Sequence, residues 1–233
     1  TGINLLKSMD RVVGDILVVG DATSTYRAIE REVNKALENH PDINATFIAE
    51  KDIDKLVGRL RGRDEKYLFL TTLGGMSDSS GYTLALDETI RRIVAAGEFV
   101  ILSMEDTYLY PGVLGGYVTS GMQQGAAAAD MALSYFAGDG LNRIVPVKDS
   151  PNEYIFDHAE LDRRSLTLPA DIARVATILN QPQSFYARNR NLVLGSIVGL
   201  LVLIFLLMAA FLVLFSMKNR HIEDKKNEIS DQV

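Results

Sequence analysis

Residues 192–217, LVLGSIVGLLVLIFLLMAAFLVLFSM, contain no charged side chain and only two serines as polar interruptions. At a rise of about 1.5 Å per residue, a helix over this run would extend roughly 39 Å, more than the ~30 Å hydrocarbon core of a bilayer. A core helix of a soluble domain keeps a polar face and seldom runs this long without one, so the stretch reads as a single transmembrane helix. Gly195 and Gly199 form a G-x-x-x-G pair within it. Such a pair allows close helix–helix approach and points to a homodimer through the membrane and juxtamembrane helices.

The flanks orient the span. Arg188 and Arg190 precede it, whereas Lys218, Arg220, Lys225 and Lys226 follow it. Short cytoplasmic flanks hold the excess of Lys and Arg, so residues 1–191 are expected on the periplasmic or extracellular side of an inner membrane and residues 218–233 in the cytoplasm. Export requires a signal segment or an earlier span. The first eleven residues offer neither an apolar run nor an initiator Met, so the sequence is expected to be part of a longer protein.

Charge and residue usage then exclude several classes. With 24 Lys and Arg against 30 Asp and Glu, the chain is a poor nucleic-acid binder. There is no cysteine, and the three histidines, His40, His158 and His221, are far apart, so neither a metal site nor a cofactor is expected.

Upstream of the span, apolar runs alternate with helical patterns. Residues 15–20, DILVVG, read as a buried strand, and Asp21, Thr23 and Ser24 supply turn and capping chemistry for a helix to about Asn39. Strands are expected at 45–49, 67–71, 99–103 and 113–118, with helices after Asp52, over 86–96 and over 122–136. Two further extended pieces are expected at 144–147 and 154–156. The alternation predicts an α/β fold built on a doubly wound parallel sheet, followed by the transmembrane helix. The domain boundaries expected are 1–165 for the exported lobe, 166–191 for a connector and interface segment, 192–217 for the span, and 218–233 for the start of a cytoplasmic signalling helix.

In such a sheet, ligands bind beyond the carboxyl ends of the strands. That rule selects Asp21, Thr23, Ser24, Met76, Glu105, Asp106 and Tyr117 as candidate ligand-binding residues, with Asp106 foremost because it closely follows the apolar strand FVILS. Residues 72–82, with three glycines and three serines, form a loop long enough to be functional or mobile. No G-x-G-x-x-G follows the first strand, no Gly-Lys-Ser phosphate loop or G-x-S-x-G elbow occurs, and no histidine falls in the selected loops. No catalytic residue is expected. A small polar solute is the expected partner.

Some local runs resemble a known family. Residues 115–120, GGYVTS, followed by Gln124-Gly125-Ala126-Ala127-Ala128, Ala132-Leu133 and Gly138, resemble the last long helix region of type 1 periplasmic substrate-binding proteins of ABC transporters. Thr1-Gly2-Ile3 and Val19-Gly20-Asp21-Ala22-Thr23 resemble the start and first strand of the second lobe. Pro151-Asn152, Tyr154-Ile155-Phe156-Asp157 and Leu161 are similar to the end of such domains when fused to a membrane helix and a signalling output. The resemblance implies a first lobe upstream of Thr1 and an output module beyond Val233, a histidine kinase first and a diguanylate cyclase next. It also leaves open a membrane-anchored substrate-binding component of an importer.

Overall fold

The computed structural model describes residues 2–10, 13–138, 140, 150–182 and 185–230. These fall into two compact units, residues 1–181 and 182–233. In the first, α1 (Gly2–Met9), β1 (Ile16–Gly20), α2 (Ser24–Leu37), β2 (Ala45–Ala49), α3 (Ile53–Leu60), β3 (Tyr67–Leu70), α4 (Leu86–Val94) and β4 (Val100–Ser103) alternate. A 3-10 turn at Asp106–Tyr108 leads to β5 (Val113–Thr119), α5 (Gly121–Phe136), β6 (Asn152–Asp157), α6 (His158–Arg163), α7 (Ala170–Ala173) and β7 (Thr177–Leu179).

The seven strands form one sheet in the order β2-β1-β3-β4-β5-β6-β7. Strands β1 to β5 run parallel, β6 is antiparallel to β5, and β7 is parallel to β6. Because side chains alternate across a strand, β1 sends Leu17 and Val19 to one face and Ile16 and Val18 to the other. The first face packs on Ile53, Leu56 and Leu60 of α3 and Ile90 and Ile93 of α4. The second packs on Ile3, Leu5 and Leu6 of α1 and on Ile172 of α7. Burial on both faces is why the central strands are unbroken apolar runs rather than alternating ones.

The expected doubly wound architecture is present, with two differences in detail. Helix α1 was not anticipated. Residues 166–183, expected as a connector, contribute α7 and β7, and the compact unit continues to Gln181. The extended piece expected at 144–147 lies outside the described residues.

Helix α5 stands apart from the other long helix of the first unit, α2, which buries Tyr26. It has no buried residue, and Met122 and Phe136 are 80% and 81% exposed. The second unit comprises α8 (Phe185–Arg188) and α9 (Arg190–Ser230), an unbroken helix of 41 residues. Its stretch Arg190–Arg220 is long and apolar enough to cross a membrane.

Close approach of β5 and β6 depends on Gly115, whose φ is +108° and whose added Cβ would lie 2.0 Å from the Ile155 carbonyl oxygen. Gly115→Ala combines a left-handed backbone with a backbone clash, and is expected to destabilise the first unit by at least about 2–3 kcal/mol. Thermal melting of the detergent-solubilised chain, followed by circular dichroism, checks this. An unchanged melting temperature would contradict the register.

Candidate ligand-binding site

The strand order reverses at β1, which lies between β2 and β3, and in doubly wound sheets ligands sit at such a switch point beyond the carboxyl ends. Gly20 ends β1 under the ring of Tyr26, and a Cβ there would come within 2.0 Å of that ring. The chain then turns sharply through Ala22, at φ +61°, a left-handed conformation uncommon for a residue with a side chain. The turn folds Asp21 back over the start of α2.

Asp21 is 4% exposed, and its Oδ1 accepts three hydrogen bonds. Thr23 donates two, from its backbone N at 3.2 Å and from Oγ1 at 2.7 Å, and Thr72 Oγ1 donates the third at 2.8 Å. Thr23 also caps α2, accepting from the Tyr26 amide. Beside it, Thr71 Oγ1 donates to the Val19 carbonyl at 2.8 Å. The ends of β1 and β3 are thus pinned by two hydroxyls.

Beyond β4, Ser103 Oγ donates to the Glu105 carbonyl at 2.6 Å and accepts from the Glu105 amide at 3.1 Å. The backbone of Glu105 is fixed, but its carboxylate accepts no side-chain or backbone hydrogen bond among the described residues. Burial, then the charges of Asp106 and Asp21, push the Glu105 carboxyl above its ordinary range. Asp106 Oδ2 accepts from the amide of Gly121, the first residue of α5, at 2.8 Å, which suits the positive end of that helix. Tyr108 is buried, and its hydroxyl accepts from the Leu73 amide at 3.1 Å.

The loop 72–82 is held by its own Asp78 and by Asp54 of α3. Asp78 Oδ1 accepts from the Ser80 amide, the Ser80 hydroxyl and the Tyr82 amide, and Asp54 Oδ2 accepts from the amide and hydroxyl of Ser79. The loop is built, not merely long.

The structure therefore brings Asp21, Thr23, Glu105 and Asp106 to the carboxyl edge, with Ser24 exposed at the start of α2. Two candidates are placed elsewhere. Met76 is 1% exposed within the apolar cluster on the α3/α4 face. Tyr117 packs against Tyr154 at a centroid distance of 4.7 Å and joins the cluster on the α1 face. Thr72, which donates to Asp21 Oδ1, is not among the residues expected from sequence, since a threonine after an apolar strand reads equally as a turn residue. Among the described residues, an apolar hollow of about 590 Å³ also lies along α2, lined by Ile3, Val18, Ile29, Val33 and Phe69. Its lining is mostly apolar, with Thr25, Glu32, Lys35 and Asn39 as its polar members, and it lies along α2 rather than at the switch point beyond the strand ends.

No protein-family model and no curated protein matches the chain. Solved structures do. The ABC domain in complex with L-Trp from Streptococcus pneumonia superposes with a TM-score of 0.55 at 13% identity, covering 76% of this chain and 59% of that one. The ligand-free, open structure of CD0873, a substrate-binding protein with adhesive properties from Clostridium difficile, gives 0.53 at 13% identity, covering 78% and 59%. A conserved domain protein from Vibrio cholerae O1 biovar El Tor gives 0.51 at 14% identity, covering 76% and 58%. The first unit thus has a fold like that of substrate-binding proteins. The chain spans under three-fifths of the length of the solved proteins it matches.

The raised Glu105 carboxyl has a stability consequence. Its folded state binds the proton more tightly than its unfolded state, so the contribution favours folding at low pH and is lost as pH rises from about the ordinary value of 4.5 through the raised folded one. At neutral pH, Glu105→Gln is expected to raise the melting temperature of the solute-free chain by about 1–3 °C, with the gain vanishing below pH 4. A lower melting temperature at pH 7 would mark Glu105 as a structural residue.

Proposed function

We propose that the chain is the extracytoplasmic solute-sensing part of a transmembrane receptor. A first lobe outside these 233 residues closes with residues 1–181 around a small polar solute, and the closure passes through α9 to a cytoplasmic output module. Solute binding is supported by the fold and by the polar carboxyl edge. The exposed α5 fits the same picture, because a helix with no buried residue and exposed Met122, Leu133 and Phe136 has no apolar packing partner among the described residues, and a first lobe would supply one. The neighbours' unmatched remainder, about two-fifths of each, leaves room for such a lobe.

The signalling role rests on one observation. Helix α9 runs without a break from Arg190 through the apolar stretch into a charged continuation reaching Ser230. A continuous helix can carry a shift or rotation from outside to inside, and a tethered binding component of an importer has no use for a charged helical extension. That alternative shares the fold and would be recognised by the absence of an output module. A histidine kinase is the favoured module and a diguanylate cyclase the next. The Gly195/Gly199 pair favours a homodimer, since neither position would crowd a neighbour on its own helix.

A topology reporter fused after Val233 tests the arrangement. Cytoplasmic reporter activity is the expected result, with protease added to spheroplasts cleaving within residues 1–191. Reporter activity on the outer side would refute the receptor reading. The reading frame continued past Val233 should encode a kinase or cyclase module, and its ending without one would leave the importer component.

A further inference from the structure

Asp21 is buried, yet only one of its two carboxylate oxygens is engaged. The three donors from Thr23 and Thr72 all meet Oδ1. Oδ2 accepts no hydrogen bond among the described residues and is not sealed from solvent. It lies toward Gly74, where an added Cβ would stand 3.8 Å away. Oδ1 is tied down by three donors while Oδ2 reaches solvent, so Oδ2 is held in place and open to a donor from outside the chain.

Acidic side chains predominate at this end of the sheet, although Lys51 follows β2 and the charge of Arg92 reaches Asp78. The segments 21–25, 71–82, 103–109 and 119–122, which follow β1, β3, β4 and β5, carry Asp21, Asp78, Glu105 and Asp106 and no Lys or Arg. Glu105 stands close enough to Asp21 and Asp106 to feel both charges. We infer that the solute carries a protonated amine, that Asp21 Oδ2 receives it, and that Glu105 supplies a second counter-charge. The inference rests on the solute-binding reading above and narrows its ligand to a cation. A neutral polyol or an anion enclosed against this wall would leave the carboxylates uncompensated as water is expelled, whereas an ammonium group brings opposite charge and three donors. Because Oδ1 is fixed by three bonds, Oδ2 is aimed before the solute arrives, which reduces the ordering that binding requires.

The test uses the complete polypeptide containing these residues, solubilised in detergent. Thermal shift is read with agmatine, putrescine, L-lysine and L-tryptophan beside glucose, inositol, succinate and citrate. Stabilisation by amines alone is the expected result. In calorimetry with the best amine, Asp21→Asn should weaken binding at least about tenfold, while Asp87→Asn, an exposed acid in the first turn of α4, should leave it within about twofold. Acetylation of the amine should weaken binding by at least as much, and that comparison decides the matter if the Asp21 variant does not fold. A best binder among the sugars or dicarboxylates and tricarboxylates, or an acetylated amine binding as well as its parent, would overturn the amine assignment and leave solute binding standing. Stabilisation by none of the eight compounds would overturn the solute-binding reading and this inference with it.

Discussion

The hydrogen bond from Thr72 to Asp21 joins the ends of β3 and β1 at the point where the strand order reverses. A carboxylate this deeply buried is tolerated because three donors meet its Oδ1 and its Oδ2 reaches solvent, and both Thr23 donors come from a turn that Ala22 makes in a left-handed conformation. Turn, cap and strand end therefore form one unit. Loss of the Thr72 bond would leave the aspartate short of a donor and loosen the end of β3 against β1, so the geometry of the candidate site and the integrity of the fold are coupled there.

Much of this architecture is legible in the sequence, for a physical reason. Strands buried on both faces must be apolar throughout, so the runs around Leu17, Leu68 and Leu102 mark β1, β3 and β4 with few alternatives. The shorter peripheral elements carry no such signature. Strand β7 has three residues and α7 four, and both read as linker until packing against β6 and the second core gives them structure. The site was legible as loops but not as side-chain directions. Met76 and Asp78 belong to the same loop, yet the pairing of Ser77 with Asp52 and Thr83 sets one inward and leaves the other to hold the turn. The bond from Gly121 to Asp106 spans fifteen residues and could not be read from spacing.

Two helices are hard to account for within the chain alone. Helix α9 keeps Leu201, Phe205 and Phe211 more than 60% exposed, which a bilayer would cover at no cost in hydration. Helix α5 has no charged residue besides Asp130 and shows apolar residues at both ends. It is too long and too apolar to be an ordinary solvent-facing helix. In the proposed receptor a lipid surface would cover the one and a protein lobe the other, and the acidic edge of the sheet would face that lobe.

The most direct measurement is hydrogen–deuterium exchange across residues 121–136, compared between the 233-residue chain and the complete polypeptide in the same detergent. If a first lobe covers α5, its amides should exchange at least about tenfold more slowly in the complete protein, equivalent to ~1.4 kcal/mol of added opening free energy. Equal exchange in the two would show that nothing packs on α5, and would contradict the two-lobed account.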